Sequence, residues 1–359
     1  MSYECLLNES FIPFRILYLF AFYTGVVESS KMAAGVQRVL AKCQKCIDSG
    51  NFYEAHQMYR TLYFRYSGAK KYAEAIDLLY NGSQTLLLHK QYSSGSDLAL
   101  LLIDVLNTAK TPVTEENTDK VVDLLRIMDN NECPDRINYL NAALRWTIGV
   151  APECRAGHPD LHKKCGMLFW QEKNYIQARY HYLHSSDGKN LAVMLIEYHT
   201  TLGYPSEVDL FIAQTVLQFL CLQNKDTAHV VFVTYTKQHP GVEKGPPFIQ
   251  PLLNFIWFLL LALEGGKLAV FAVLCEKYQT SISRDPTYKE YLDKIGQIFF
   301  GVPAPKSQSQ GGFFGNLIQS LLGGEDGEDN GPVTPAMTPV MTPMTPSTEQ
   351  RNLSQVDLD

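Results

Sequence analysis

Four short segments constrain this chain more than any other feature: GNFYEA (50–55), KKYAEA (70–75), KQYSSG (90–95) and KNYIQA (173–178). Each sets an aromatic residue in third place and alanine or glycine in sixth, and the first three recur about every 20 residues. The sixth-place residue is small enough to let a new helix approach its predecessor closely. The aromatic fills the corner between the two, and the polar residue before it ends or caps the earlier helix. A chain punctuated in this way reads as antiparallel helices joined by tight corners.

The stretches between corners carry helical periodicity. Apolar positions recur three and four apart, as in Tyr59, Leu62, Tyr63 and Tyr66, and again in Ile76, Leu79 and Tyr80. VVFVTYT (230–236) is dense in β-branched residues but lies in a run long enough to be helix. Breaks at Ser49-Gly50, Ser67-Gly68, His89-Lys90-Gln91, Thr111-Pro112, Cys133-Pro134, Gly157-His158-Pro159, Tyr204-Pro205, His239-Pro240-Gly241 and Gly265-Gly266 divide Gly35 to Gly301 into about fourteen helices. The expected fold is all-α, a solenoid of antiparallel helix pairs. Its corners resemble the start of the second helix in tetratricopeptide repeats, although that family repeats at about 34 residues.

Three regions follow. Residues 1–31 read as a variable N-terminal extension, with Met32 as a plausible true start. FIPFRILYLFAFY (11–23) is interrupted by Pro13 and Arg15 and preceded by Glu4 and Glu9, unlike a secretory signal. Residues 32–301 form the solenoid, and 302–359 form a low-complexity acidic tail. Within the tail, GGFFGNLIQSLLGG (311–324) is a short amphipathic stretch, suited either to docking or to remaining a weakly populated helix. The tail also holds four Thr-Pro pairs, at Thr334, Thr338, Thr342 and Thr345. Phosphate on any of them would add about −1.5 to −2 charges.

LLNFIWFLLLAL (252–263) is too short to cross a bilayer: twelve residues of helix reach about 18 Å against a hydrocarbon core of about 30 Å. Its expected place is in the core, against helices at 267–279 and 285–300, with a partner platform only at its rim. The net charge of −6 and the lack of a dense basic cluster argue against nucleic acid as a partner.

Catalytic motifs are missing. The chain has no G-x-x-x-x-G-K-[ST], no G-x-G-x-x-G and no G-x-S-x-G, so neither an enzyme nor a cofactor is expected. The eight cysteines are scattered and several sit in apolar segments, which points to free thiols in a reducing compartment. Cys43 and Cys46 form a C-x-x-C but lack the second pair or βαβ setting that zinc or redox chemistry would require. His158 and His162 stand four apart, and His181 and His184 three apart, spacings that can share a helix face. With no H-E-x-x-H and with aromatics around them, they read as packing groups and not as metal ligands.

Several longer segments taken together resemble the Golgi to ER traffic protein 4 family: DSGNFYEAHQMYRTLYFRY (48–66), GHPDLHKKCGMLFW (157–170), ARYHYLHSSDG (178–188), EVDLFIAQTVLQFLCLQNK (207–225) and GPPFIQPLLNFIWFLLLALEGGK (245–267). The resemblance implies a cytosolic scaffold in the targeting of tail-anchored membrane proteins to the ER. Its N-terminal helices would hold a targeting ATPase, and its C-terminal helices a ubiquitin-like protein or a BAG-domain scaffold. Carried to matching positions, the ATPase face would include Tyr53, Glu54, His56 and Asp97. Tyr53 has an alternative role as a corner plug, and Asp97 as a helix N-cap. The C-terminal partner face would draw on Phe248, Phe255, Trp257, Phe271, Tyr278 and Tyr291. A helical-repeat subunit of a proteasome- or signalosome-like assembly is the competing function. Five of the nine methionines lie outside the repeats, so no Met-rich groove is expected to hold a client's apolar helix, and no membrane insertion is expected.

Overall fold

The structure, a computed structural model, describes residues 35–128 and 132–303. The N-terminal extension of residues 1–31, the amphipathic stretch 311–324 and the four Thr-Pro pairs lie outside the described residues. By contacts the chain divides between Ala304 and Pro305, and every described residue belongs to the first unit.

The described residues form fifteen α-helical segments and no strand. These are α1 (35–48), α2 (Phe52–Gly68), α3 (Tyr72–Leu88), α4 (Tyr92–Thr108), α5 (Glu115–Ile127), α6 (Arg136–Val150), α7 (Pro159–Gln171) and α8 (Tyr175–Leu183). There follow α9 (Gly188–Leu202), a 3₁₀ turn (Pro205–Glu207), α10 (Val208–Cys221), α11 (Lys225–Gln238), α12 (Pro251–Gly265), α13 (Leu268–Lys277), the four-residue α14 (Gln279–Ile282) and α15 (Thr287–Phe300). The short α14 accounts for the one segment beyond the expected fourteen.

Six corners are built alike. After α2, Lys70 N–H bonds Ser67 O at 3.0 Å and Lys71 N–H bonds Tyr66 O at 2.9 Å, the paired bonds of a Schellman cap. The same pair recurs at Gly50/Asn51, Lys90/Gln91, Lys110/Thr111, Lys173/Asn174 and Gln223/Asn224. Each cap needs one residue in the left-handed region; five of the six positions use Lys or Gln, with φ from 48° to 61°. The following asparagine then caps the next helix at Asn51, Asn174 and Asn224.

The small sixth residue does what its size permits. Ala55, Ala75 and Ala178 are fully buried, and a Cβ on Gly95 would stand 2.6 Å from Leu87 Cγ. Tight corners then stack the helices in order. α3 packs on α4 and α5, α4 on α6, α5 on α7, α7 on α8, α9 on α11, and α10 on α11, α12 and α15. Contact with the next helix and the next but one is the pattern of a solenoid.

In α12, Leu252, Leu253, Phe255, Ile256, Leu259 and Leu260 are buried. Its principal neighbours are α10, α13 and α14, while α15 lies mainly against α10 and α13. The segment 285–300, expected against α12, thus packs chiefly on α10 and α13, and the short α14 takes a place beside α12. Among the described residues no helix is long and apolar enough to cross a membrane.

Candidate interaction surfaces

The direct packing of α2 on α4 brings two predicted residues together. His56 Nε2 lies 2.8 Å from Asp97 Oδ2, and Arg60, one turn further along α2, reaches both Asp97 oxygens through Nη1 at 3.1 and 3.2 Å. Gln57 Nε2 stands 3.3 Å from His56 Nδ1. An amide N–H donating there leaves Nε2–H of His56 to donate to Asp97. The imidazole is buried, whereas the Asp97 and Arg60 side chains are each 36% exposed. A carboxylate clamped between two donors thus keeps one side open to solvent.

Asp97 is the sixth residue of α4, whose N-cap is Gln91, so it caps nothing; its partners are on α2 instead. A second crosslink runs parallel, from Tyr63 OH to Asp104 Oδ2 at 3.4 Å. Glu54 belongs to a different group. It exchanges hydrogen bonds with the N-cap Asn51 and pairs with Lys42 at 3.1 Å. Tyr53 is not the corner plug, because Phe52 holds that place, its ring 5.0 Å from that of His89. Tyr53 instead stands 75% exposed on α2, the helix that carries His56 and Arg60.

At the C-terminal helices the six predicted aromatics divide evenly. Phe248, Phe255 and Phe271 are buried: Phe271 stacks on Phe300 at 4.5 Å, Phe255 meets Tyr278 at 5.8 Å and Phe248 meets Phe232 edge-on at 5.9 Å. Phe255 and Phe271 are fully buried core, and Phe248 is core apart from the side that walls the pocket beside Trp257. Trp257, Tyr278 and Tyr291 are half-buried. The open apolar surface comes from residues the sequence did not single out. Phe258 (38% exposed) and Leu261 (47%) lie one turn apart on α12, and Val270 and Val273 one turn apart on α13.

Beside Trp257 is a pocket of about 360 Å³ walled by Phe232, Phe248, Leu260 and Leu261, with Lys237, Lys244 and Glu264 also lining it. Asn254 holds its 244–248 wall in place, accepting from Phe248 N–H and donating to Phe248 O, both at 2.7 Å.

The histidines pack. His158 is the N-cap of α7 and accepts from Asp160 N–H, so it leaves the helix face that His162 was expected to share with it. His162 donates from Nε2 to Ala156 O at 3.1 Å, and its Nδ1 meets His181 Nδ1 at 2.9 Å. The His184 ring lies 5.1 Å from that of His162. Burial holds all three imidazoles below their ordinary range, that of His162 at about 4. A second pair, invisible in the sequence, joins His239 Nε2 to His199 Nδ1 at 2.9 Å. Among the described residues no group of three or more His, Cys, Asp or Glu is arranged to hold a metal ion. Cys43 and Cys46 are free thiols whose pKa burial raises.

An array in which most helices rest on the next or the next but one, with an ionic cluster on early helices and exposed apolar side chains on late ones, defines an α-helical repeat protein. The profile of the family described as Golgi to ER traffic protein 4 matches residues 69–322. The Golgi to ER traffic protein 4 homolog of Xenopus tropicalis is 52% identical over 316 residues, covering 86% of this chain and 96% of that protein. The human homolog is 51% identical over 295 residues, covering 82% and 89%. A crystal structure of C. therm. Get4 superimposes with a TM-score of 0.68 at 27% identity, covering 81% of this chain and 96% of that one. The chain belongs to the Golgi to ER traffic protein 4 family.

Proposed function

We propose that this chain is a non-enzymatic cytosolic scaffold that brings the carriers of tail-anchored membrane proteins together. A targeting ATPase sits on the α2–α4 face around Tyr53 and Asp97. A ubiquitin-like protein or a BAG-domain scaffold sits on α12 and α13. The client's transmembrane segment passes from a co-chaperone to the ATPase, and the solenoid does not hold it.

The observation that carries this reading is the set of exposed apolar side chains on two packed helices, Phe258 and Leu261 on α12 and Val270 and Val273 on α13, with Leu261 also lining the Trp257 pocket. Apolar side chains clustered in the open mark a protein-binding surface. The half-open Asp97 clamp supports a second, electrostatic contact many helices away in the array. Family membership supports the traffic role.

Co-purification of the full chain tests the proposal. Recovery of a targeting ATPase together with a ubiquitin-like or BAG-domain protein is the expected result. Recovery of proteasome or signalosome subunits in their place would favour the competing assembly. Efficient crosslinking of a tail-anchored segment to residues 245–300 would show that the solenoid holds client itself.

A further inference from the structure

Arg179, on α8, has no counter-ion among the described residues. Its Nη2 donates to Gln218 Oε1 at 2.8 Å, and Gln218 in turn donates to the Tyr291 hydroxyl at 3.1 Å, a chain linking α8, α10 and α15. Its Nε is buried and meets no protein acceptor. Among the described residues no carboxylate lies within ion-pair distance of it. Two other arginines do have carboxylate partners: buried Arg136 meets Glu172, and exposed Arg284 meets buried Asp209, although Arg136 Nε, like Arg179 Nε, meets no acceptor. A desolvated guanidinium with one neutral acceptor is costly, and an added carboxylate offsets that cost through paired N–H···O bonds.

The same side chain lines a pocket of about 400 Å³, a volume in the range of small-ligand sites. Tyr198, Tyr288 and Gln214 add polar groups, and Leu202 and Leu210 add aliphatic wall. Two acids also line it, each already engaged locally. Glu207 accepts from Tyr204 N–H at 3.0 Å, and Asp285 accepts from Thr287 N–H at 2.9 Å and from its hydroxyl at 2.7 Å. Their charges oppose a polyanion more strongly than a single negative charge.

We infer that this pocket binds a carboxylate carried on a short aliphatic stem, with Arg179 meeting the carboxylate and the leucines the stem. That chemistry is common to a free small acid and to a glutamate side chain of a partner. The site is independent of both faces assigned above.

The test uses the full chain labelled with ¹⁵N-arginine, reading the Arg179 Nε–H resonance and the unfolding temperature. Sodium butyrate is compared with sodium phosphate and sodium chloride at equal ionic strength. A tripeptide of glutamate between two glycines is compared with its glutamine counterpart. A shift of the Nε–H signal and a raised unfolding temperature with butyrate support a free acid as ligand. The same changes with the glutamate peptide alone support a partner side chain.

In Arg179→Gln, where only the unfolding temperature can be read, the ligand concentration needed for the same shift is expected to rise about tenfold or more. Gln214→Glu, which leaves Arg179 in place and adds a negative charge to the wall, should weaken the response similarly and carries the test should Arg179→Gln not fold. No response beyond chloride, an equal response in either variant, or a stronger response to phosphate than to butyrate overturns the inference.

Discussion

Adding one methyl group at Gly95 tests how the corners set the spacing of helices. A Cβ there would stand 2.6 Å from Leu87 Cγ, 2.8 Å from Leu87 Cδ2 and 3.1 Å from the Leu87 backbone nitrogen. Leu87 is buried, and its carbonyl receives Lys90 N–H in the cap that ends α3. Relief therefore requires moving either a packed leucine or the corner itself. Overpacking of this kind costs about 1–3 kcal/mol. Against it stands the helix-propensity gain from Gly to Ala, about 1 kcal/mol. The net expectation is a loss of up to about 2 kcal/mol, about 1 kcal/mol at the middle of the range.

Gly68→Ala is the matched control. It lies in the last turn of α2 with nothing within 4 Å of the new Cβ, so it gains stability by up to about 1 kcal/mol. Urea unfolding followed by circular dichroism at a helical wavelength reads both as shifts of midpoint in opposite directions. A Gly95→Ala protein as stable as the parent or more so, alongside a normal Gly68→Ala, would refute the reasoning.

Asp97→Lys removes both of its pairs, yet these groups are over a third exposed on the Asp97 and Arg60 side, so stability should fall by only about 1 kcal/mol or less. ATPase binding should fall about tenfold or more, and an unchanged affinity in a titration would remove Asp97 from that face. Lys90→Gly replaces a side chain held at φ 59° and should leave stability level or raise it by up to about 1 kcal/mol; a clear loss in urea would contradict the cap assignment. Acid should weaken the fold through its buried histidines. His162, His181, His184 and His239 are held below their ordinary range chiefly by burial, His239 at about 4. The unfolded chain therefore binds more protons below about pH 6.5, and stability falls as pH drops from there towards about 4. A urea midpoint constant or rising between pH 7 and pH 5 would contradict that sign. Zinc added to the metal-free chain should bind only weakly, and tight binding in a competition assay would return the histidine cluster to the list of metal sites.

What the sequence disclosed was local. The corner template is written within six residues, and caps, small residues and aromatics act on immediate neighbours, so the helices and the solenoid were readable. The pairing of His56 with Asp97 bridges 41 residues and depends on α2 resting on α4; Arg60 could have been found from its place one turn beyond His56. His199 and His239, 40 residues apart, carry no sequence signal at all.

On α12 nearly every position is apolar, so no periodicity separates buried Phe255 from exposed Phe258 and Leu261. Only the packing of α10, α13 and α14 around it decides which side remains open. The same ambiguity, at one-residue scale, exchanged Phe52 and Tyr53 at the corner. His158 was placed on a helix face that begins one residue later, because Pro159 starts α7 and leaves it as the cap.

The central claim is that two separate surfaces of one scaffold hold two different partners. Reconstitution of the full chain with a targeting ATPase and a ubiquitin-like or BAG-domain partner measures it directly, using Asp97→Lys and Leu261→Asp. The account predicts that Asp97→Lys loses the ATPase and keeps the second partner, while Leu261→Asp does the reverse. Loss of both partners together in either folded variant, or of neither in both, would contradict it.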